Sequence, residues 1–259
     1  MSGGIHPTAV VDAGADLAAD VVVGPYSVIG ADVTVGAGTR IDSHVVIKGP
    51  TTLGRDNRVF PFCSLGEQPQ DRKYGGEPTR LVIGDRNVIR EFCTLNRGTA
   101  AALGKTVVGD DNLLMAYVHI AHDCVVGDHT TFANGASLGG HVEVHDYATL
   151  GGFSLVHQFC RVGRHAFSGK ASTFTKDLTP YTLASGNPAK THGLNKVGLR
   201  RAGFSEDTIR ALHNAYLDLV RTPGGLRSYL EKHRRAADGH PEVKTLIEFI
   251  ESSVRGVTS

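Results

Sequence analysis

A repeat of six residues runs through most of this 259-residue chain and limits what it can fold into. In steps of six from Ile5 to Leu65, every position is apolar. Two further runs with the same period cover residues 83–95 and 108–162. Self-similarity at a fixed period is typical of solenoids, in which each repeat is one structural unit stacked on its neighbours.

Each six-residue unit contains a large apolar residue, often followed by Gly, and a small or compact residue four positions after the large one. The compact positions hold Ala9, Ala15, Val21, Ser27, Val33 and Thr39, and later Val118, Thr130, Ala136, Val142, Ala148 and Ser154. We predict one short strand and one corner per unit, so that three units close a triangular turn. The large side chain fills the interior, the small one fits near a corner, and Gly accepts backbone angles that other residues resist.

Two segments interrupt the period and should leave the coil as loops. The first is residues 66–80, with the sequence GEQPQDRKYGGEPTR, and the second is residues 97–105. Long excursions from a regular scaffold are common places for function, although a tolerated surface insertion is the alternative for each.

The repeat fades near residues 168–175, and after Asn195 the pattern is helical. We therefore predict a mainly β protein, with a parallel β-helix over residues 1–190 and a small α-helical domain over residues 191–259. A first helix begins after Ser205, an N-cap residue, and directs Ile209, Leu212, Tyr216 and Leu219 to one face. A second is expected over residues 226–236. A third starts at Pro241 and directs inward Val243, Leu246, Ile247, Ile250 and Val254.

Charge and hydropathy argue against several classes of protein. The 27 Lys and Arg residues against 26 Asp and Glu residues leave a net charge of +1, too small for a general nucleic-acid or membrane-surface binder. Residues 1–11 lack the features of a signal peptide, and nowhere do eighteen apolar residues run together. We expect a soluble, cytoplasmic protein that does not insert into membranes.

The cysteines and histidines differ in what they suggest. Each cysteine lies four residues after an apolar repeat position, which predicts a small buried hydrophobe rather than a metal ligand or redox group; these are Cys63, Cys93, Cys124 and Cys160. His122, His141 and His157 follow one another at 19 and 16 residues, each close to one 18-residue turn. We expect them to stack along one wall, where imidazoles beside a groove could supply a general base. Scattered surface histidines are the alternative, because the chain holds 13.

Several motifs together closely resemble one enzyme family. The segments are IAHDC, NGASLGGHVEV, GGFSLVHQFC, QPQDRKY and GLNKVGLRRAGFS. They resemble the acyl-acyl carrier protein:UDP-N-acetylglucosamine O-acyltransferases that begin lipid A synthesis, and the likeness runs almost end to end. The resemblance implies a left-handed coil, whereas the usual crossover preference favours the opposite hand. It also implies a homotrimer with sites between subunits, and a reaction without cofactor or metal.

The implied reaction transfers a 3-hydroxyacyl group from acyl carrier protein to the 3-hydroxyl of UDP-N-acetylglucosamine. His122 would be the general base that removes the hydroxyl proton as the oxygen attacks the thioester directly. The backbone N–H of Gly140 would stabilise the negative charge that develops on the thioester oxygen. Asp123 would orient or polarise His122, although neighbouring side chains of an extended strand point to opposite faces.

The resemblance also implies substrate contacts. Asp71 and Lys73 would bind the glucosamine, while Asn195 and Arg201 would reach the uridine diphosphate, where a guanidinium fork suits phosphate. Other substrate-lining positions are His119, His141, His157 and Gln158. His141 would contact the substrate or the hydroxyl of the acyl chain.

Two positions depart from some relatives. Asn96 stands where some carry histidine, which puts one substrate contact in doubt. Lys170 stands where a glycine leaves room for a long acyl chain in some relatives. A bulky residue there should shorten the hydrocarbon pocket, while its charged end reaches water or a partner. We therefore predict a preference for shorter acyl chains.

Three alternatives compete with this hypothesis. The sister N-acyltransferases of the same pathway usually add an N-terminal uridine-binding domain, for which a repeat that starts at Ile5 leaves no room. A zinc hydratase of the carbonic-anhydrase type could use His119, His122 and His141 as ligands, but their spacing does not fit that family. A structural rod such as an ice-binding β-helix would show a flat face of repeated threonines, which this sequence lacks.

Overall fold

A computed structural model describes residues 4–221 and 239–259 and confirms the stacked coil. Three sheets enclose one interior and are parallel except for the last hairpin of the third; the chain visits the first, second and third sheet in turn before it returns to the first. Each strand pairs with the strand one coil further on, as where Val10 lies beside Val28 and Val11 beside Ile29. This offset of 18 residues is the triangular turn that the repeat predicts.

The strands are short, and most contain two residues. The first sheet contains β1 (Val10–Val11), β4 (Val28–Ile29), β7 (Val46–Ile47), β10 (Ser64–Glu67), β13 (Thr94–Asn96), β16 (His119–Ile120), β19 (Ser137–Leu138), β22 (Leu155–Val156) and β25 (Thr173–Phe174). The second sheet contains β2 (Asp16–Leu17), β5 (Val33–Val35), β8 (Thr51–Leu53), β11 (Arg80–Ile83), β14 (Lys105–Val108), β17 (Val125–Val126), β20 (Glu143–Val144) and β23 (Arg161–Val162). The third sheet contains β3 (Val22–Val23), β6 (Arg40–Ile41), β9 (Arg58–Val59), β12 (Val88–Ile89), β15 (Leu113–Leu114), β18 (Thr131–Phe132), β21 (Thr149–Leu150), β24 (Phe167–Ser168), β26 (Thr182–Gly186) and β27 (Ala189–Leu194).

The large apolar repeat positions form the interior, as predicted. Ile29, Ile47 and Leu65 are fully buried, and so are compact positions such as Ser27 and Ala136. The first large position, Ile5, is 52% exposed because no described coil covers it on one side. Each internal coil therefore depends on both of its neighbours for burial.

The corners differ from the prediction in one respect. The residue three places after the large apolar position adopts the left-handed conformation although it is not glycine, as in Tyr26, His44, Asp123 and His141, with φ between +58° and +62°. The glycine that directly follows the large residue has another purpose. A Cβ on Gly24 would lie 2.7 Å from the Asp42 carbonyl carbon of the next coil. The absence of a side chain there permits the coils to approach closely.

We name the three edges of the prism by the sheets they join. The first edge leads from the first to the second sheet, the second edge from the second to the third, and the third edge from the third back to the first. Both predicted excursions leave the coil at the first edge, since residues 68–79 join β10 to β11 and residues 97–104 join β13 to β14. The same corner of the prism therefore carries both loops.

The chain leaves the coil through the antiparallel hairpin of β26 and β27 and continues into α1 (Lys196–Arg201), α2 (Glu206–Arg221) and α3 (Pro241–Glu251). Leu199, Leu212, Leu246 and Ile250 form the core of this tail with Tyr181. The domain division at residue 190, inside β27, stays a prediction. The predicted helix over residues 226–236 and the side chain of Leu219 lie outside the described residues. None of the described helices is long and apolar enough to span a membrane.

The inward position predicted for Val254 is wrong. The helix ends at Glu251, and Val254 is 96% exposed. The chain beyond the helix pairs with residue Asp177 instead, whose N–H donates to Gly256 O at 2.9 Å and whose carbonyl accepts from Thr258 N–H at 2.7 Å. These bonds fix the direction of the last residues independently of helical periodicity.

Candidate active site

The first edge gathers most of the predicted site residues. His122 and Asp123 follow β16, Gly140 and His141 follow β19 one coil later, and His157 and Gln158 follow β22. They come together because each occupies the corner of its own coil, and successive corners stack.

His122 and Asp123 are in direct contact. The imidazole Nδ1 lies 2.9 Å from Asp123 Oδ2. The strand geometry that would separate the two side chains does not apply, because Asp123 is a corner residue with φ of +59°. A carboxylate only accepts, so the bond places a proton on Nδ1 and leaves Nε2 as the basic nitrogen. This is the arrangement that a histidine general base requires.

The carboxylate of Asp123 is fully buried and held by a threonine that the sequence analysis missed. The Thr99 N–H lies 3.0 Å from both carboxylate oxygens, and the Thr99 hydroxyl donates to Oδ2 at 2.7 Å. The Asp123 N–H donates to Thr106 Oγ1 at 2.9 Å. Thr99 lies in the second excursion and Thr106 lies in β14 just after it, so this loop reaches back to the corner that holds His122 and Asp123.

His141 continues the same stack. Its ring meets that of His122 edge to face at 5.1 Å and lies parallel to that of Phe159 at 4.4 Å. Burial lowers the pKa of His141, and the charge on His122 acts in the same direction, whereas the carboxylates of Asp123 and Asp71 oppose it. The site therefore favours neutral His141.

His157 lies at the same edge as His122 and His141, as predicted, but its ring is not the third member of the stack. Phe159 holds that place, exactly one 18-residue turn after His141, and its N–H donates to the Gly140 carbonyl at 3.1 Å. His157 is exposed beside this stack, where its Nδ1 lies 3.1 Å from the Arg255 guanidinium.

His119 lies on β16 with its Nδ1 2.8 Å from the Thr94 hydroxyl. Burial lowers the pKa of His119, and the nearby His122 adds to this effect. Two histidines with lowered pKa values thus lie near His122.

Gly140 is packed directly against the His122 imidazole. A Cβ at this position would lie 2.6 Å from Cε1 and 2.8 Å from Nε2 of His122. Within residues 4–221 and 239–259, the Gly140 N–H has no hydrogen-bond acceptor. An unpaired backbone donor therefore lies beside the basic nitrogen, as an oxyanion-binding group would.

The first excursion brings Asp71 close enough for its charge to act on His141. Asp71 Oδ1 also accepts from the Lys73 N–H at 3.0 Å, which closes a tight turn. Lys73 itself is exposed.

Asn96 and Arg97 brace this loop. Asn96 Nδ2 donates to the Gln68 carbonyl at 2.9 Å, and Arg97 donates to the Gly49 carbonyl at 2.7 Å and to Tyr74 Oη at 3.2 Å. Asn96 is buried, so its amide nitrogen serves the loop, while its buried Oδ1 has no partner within the described residues.

The remaining predicted contacts lie at other edges. Asn195 and Arg201 line a cavity of about 540 Å³ at the second edge, together with His129 and His165. Asn195 caps α1 by accepting from the Gly198 N–H at 3.0 Å, and it donates to the His165 carbonyl at 3.1 Å. Lys170 is exposed at the third edge. Residues of one chain therefore do not complete the predicted site.

A second cavity, of about 660 Å³, opens at the first edge directly beside Asp123 and His141. Exposed apolar side chains, Leu103, Phe159 and Val254, line it together with Arg255. It therefore offers an apolar surface next to His141, bordered by charged groups of both signs such as Arg255 and Glu143.

The residues of this edge also bear on two other chemistries, metal binding and catalysis by a cysteine nucleophile. His122, Asp123 and His141 have ligand atoms within 4.8 Å of one another and form a group that could hold a metal ion. This set differs from the His119, His122 and His141 of the zinc alternative, and Asp123 Oδ2 already accepts from Thr99 and His122.

All four cysteines are buried, and burial raises the pKa of Cys124 to about 12, which opposes a thiolate nucleophile.

Comparison with known proteins identifies the family of this chain. Residues 177–258 match the family described as UDP-N-acetylglucosamine O-acyltransferase, domain 2, and residues 105–140 match the bacterial transferase hexapeptide. The chain is 56% identical over 253 residues to the acyl-[acyl-carrier-protein]–UDP-N-acetylglucosamine O-acyltransferase of Thiobacillus denitrificans, which covers 98% of both chains.

Solved structures extend the likeness to the whole fold. The UDP-N-acetylglucosamine O-acyltransferase of Moraxella catarrhalis superposes with a TM-score of 0.96 at 46% identity, over 98% of this chain and 99% of that one. LpxA of Acinetobacter baumannii superposes with a TM-score of 0.95 at 45% identity, over 98% of this chain and 99% of that one. The predicted left-handed β-helix with a helical tail is confirmed. The chain therefore belongs to the family of acyl-[acyl-carrier-protein]–UDP-N-acetylglucosamine O-acyltransferases and is an acyltransferase.

Proposed function

We propose that this protein transfers an (R)-3-hydroxyacyl group from acyl carrier protein to the 3-hydroxyl of UDP-N-acetylglucosamine, the first step of lipid A synthesis. The observation that carries the mechanism is the pair of His122 and Asp123, bonded at 2.9 Å, with the basic Nε2 beside Gly140. The names of the similar enzymes support the two substrates. The predicted cytoplasmic location stays part of the proposal.

The proposed reaction proceeds without a covalent enzyme intermediate. His122 Nε2 removes the proton from the sugar 3-hydroxyl while its oxygen attacks the thioester carbonyl carbon. The carbonyl oxygen becomes negatively charged and accepts a hydrogen bond from the Gly140 N–H. The C–S bond then breaks, and the departing thiolate takes the proton from His122. Asp123 accepts from Nδ1–H throughout and stabilises the transient imidazolium.

The substrate contacts require more than one chain. In one chain, Asp71, Lys73, His141, His157 and Gln158 belong to the first edge, and His119 lies on β16 next to it. Asn195 and Arg201 lie at the second edge, and Lys170 at the third. We propose a homotrimer in which the first edge of one subunit faces another edge of its neighbour, so that the nucleotide sugar binds between them. Closed threefold symmetry would form three equivalent grooves.

The reaction is tested by incubating the purified protein with 3-hydroxyacyl-acyl carrier proteins of several chain lengths. UDP-N-acetylglucosamine is offered in one series and its 3-amino analogue in another. We expect an alkali-labile ester with the first acceptor. Amide formation with the second acceptor alone would identify the sister N-acyltransferase activity. If no chain length is transferred to either acceptor, metal analysis and a hydratase assay would address the zinc alternative.

The two-chain site is tested by complementation. His122→Ala and Arg201→Ala each remove a residue assigned to a different edge, so each homotrimer should be inactive. Co-expression with two affinity tags yields mixed trimers in which some grooves have both intact residues. We expect such trimers to regain activity. Mixed trimers that stay inactive would contradict a site built from two subunits, and full activity of Arg201→Ala alone would contradict its role in nucleotide binding.

A further inference from the structure

We propose that Thr99 is a positioning residue of the acyltransferase, which fixes the Asp123 carboxylate and thereby the tautomer of His122. The inference rests on the proposed function, because it assigns a role to the second excursion in the same reaction. It explains why the coil is interrupted at residues 97–104, next to the catalytic corner.

Thr99 offers hydrogen-bond donors to both oxygens of the Asp123 carboxylate. Its N–H lies 3.0 Å from Oδ1 and 3.0 Å from Oδ2, and its hydroxyl is 2.7 Å from Oδ2. His122 Nδ1 approaches the same Oδ2 at 2.9 Å. With the Asp123 side chain fully buried, water does not offer replacement donors. The plane of the carboxylate is thus set by one threonine and one histidine.

The loop holds Thr99 in place. The Thr99 carbonyl accepts from the N–H groups of Ala102 and Gly104 at 3.2 and 3.0 Å. Gly98 has no room for a side chain, because a Cβ there would collide with the backbone of Lys105 at the other end of the loop. The two ends of the excursion therefore lie against each other, and its first turn presents the Thr99 N–H and hydroxyl to Asp123.

This arrangement has a consequence for catalysis. A buried carboxylate that lost the Thr99 hydroxyl could rotate toward other donors, and His141 Nδ1 is already 4.0 Å from Oδ2. The carboxylate would then no longer hold the proton of His122 on Nδ1. In part of the molecules the proton would be on Nε2 instead, and that nitrogen could not act as a base. The titratable groups that act on His122 are His119 of the same coil and His141 of the next coil, while the charge of Asp71 acts on His141.

The test compares three variants. Thr99→Val removes the hydroxyl and retains the N–H, Thr99→Ser retains both, and Thr106→Val removes a hydroxyl that contacts the Asp123 peptide N–H instead of its carboxylate. The readouts are the 15N chemical shifts of the His122 ring nitrogens, kcat, and KM for UDP-N-acetylglucosamine. His122→Ala assigns the His122 signals.

We expect Thr99→Val to lower kcat about tenfold to a hundredfold, as the loss of a hydrogen bond to a charged group implies, with KM changed less than about threefold. Its His122 signals should move toward a mixture of tautomers. Thr99→Ser should restore both values. Thr106→Val should lower the melting temperature but keep the parent tautomer.

Two results would overturn the proposal: parent-like tautomer and kcat in folded Thr99→Val, or the same tautomer change in Thr106→Val, which would indicate general loosening of the corner. The spectroscopic readout needs no substrate, so it separates this inference from the reaction itself. If His122→Ala keeps full activity while Thr99→Val alters the tautomer, the assigned base is wrong and the positioning contact stands.

Discussion

The first and third edges of the prism share one backbone and differ in chemistry. At both edges the residue three places after the large apolar position has φ near +60°. At the third edge five rings stack at centroid distances of 4.9 to 5.2 Å; they are Tyr26, His44, Phe62, Phe92 and Tyr117. At the first edge the equivalent positions are Asp123, His141 and Phe159.

The repeat therefore specifies the backbone of the corner but not the side chain at its tip. The rings of the third edge are partly exposed and contact mainly one another. At the first edge, the second excursion covers Asp123 and supplies the Thr99 donors to its carboxylate, which is fully buried. An interruption of the repeat therefore encloses a polar corner residue at the first edge and gives it hydrogen-bond partners that the exposed third-edge rings lack.

The sharpest test of this comparison is a pair of glycines at the same repeat position. Gly140→Ala at the first edge would place a methyl group 2.6 Å from the His122 ring, whereas Gly152→Ala at the third edge meets only the Asn134 carbonyl oxygen at 3.4 Å. We expect kcat to fall about a hundredfold in Gly140→Ala, because a shift of about 1 Å in a catalytic group has this effect. Gly152→Ala should keep parent kcat. Equal losses in both variants would contradict the distinction between the edges.

A pair of histidines tests the same distinction between the two edges, with a smaller expected effect. His141 stacks on Phe159, and His44 stacks on Phe62 in the same way at the other edge. His141→Ala should lower kcat/KM about tenfold or more, since a polar group next to the base and substrate is lost. His44→Ala should keep kcat/KM within about twofold. The account of His141 fails if steady-state kinetics show no difference between these variants.

Removal of one ring from the stack should affect stability instead of catalysis. Phe92 lies 5.0 Å from Phe62 and 4.9 Å from Tyr117, so Phe92→Ala loses two ring contacts. We expect the free energy of unfolding to fall by about 1–3 kcal/mol, since such pairs contribute about 0.5–1.5 kcal/mol each. Chemical denaturation measures this change. A large loss of kcat in the folded variant would place catalytic function at the third edge as well.

The smallest effect concerns Lys170, which precedes the third-edge corner position Ala171. If the lysine shortens the hydrocarbon pocket of the assembled site, Lys170→Gly should shift the acyl preference severalfold toward longer chains. Competing acyl-acyl carrier proteins of different lengths in one reaction measure the ratio directly. An unchanged ratio would remove Lys170 as a determinant of chain length.

Simple counting predicted much of the fold and part of the site. Steps of six residues identified the interior, and the first-edge stack is also regular, since 123, 141 and 159 differ by 18. We predicted His157 as a stack member because we followed the residue type, histidine, instead of the spacing of 18 residues. Glycines after the large residues pointed to special backbone angles, yet they provide space for the next coil.

The contacts of the excursions could not be predicted in this way. Thr99 reaches Asp123 across 24 residues through a loop that has no period. The contact between His122 and Asp123 also contradicted strand geometry and depends on the left-handed corner. Val254 continued a helical pattern, but bonds between the end of the chain and Asp177 override it. Each of these features depends on tertiary contacts that local sequence patterns do not encode.

The central claim is that the first edge performs acyl transfer with His122 as its base. The most direct measurement is the initial rate of ester formation by His122→Ala, normalised to the fraction of protein that binds UDP-N-acetylglucosamine. We predict that the variant binds the nucleotide sugar and loses about 10²-fold to 10⁴-fold in rate, the usual contribution of a general base. A variant that binds and retains the parent rate would contradict the account.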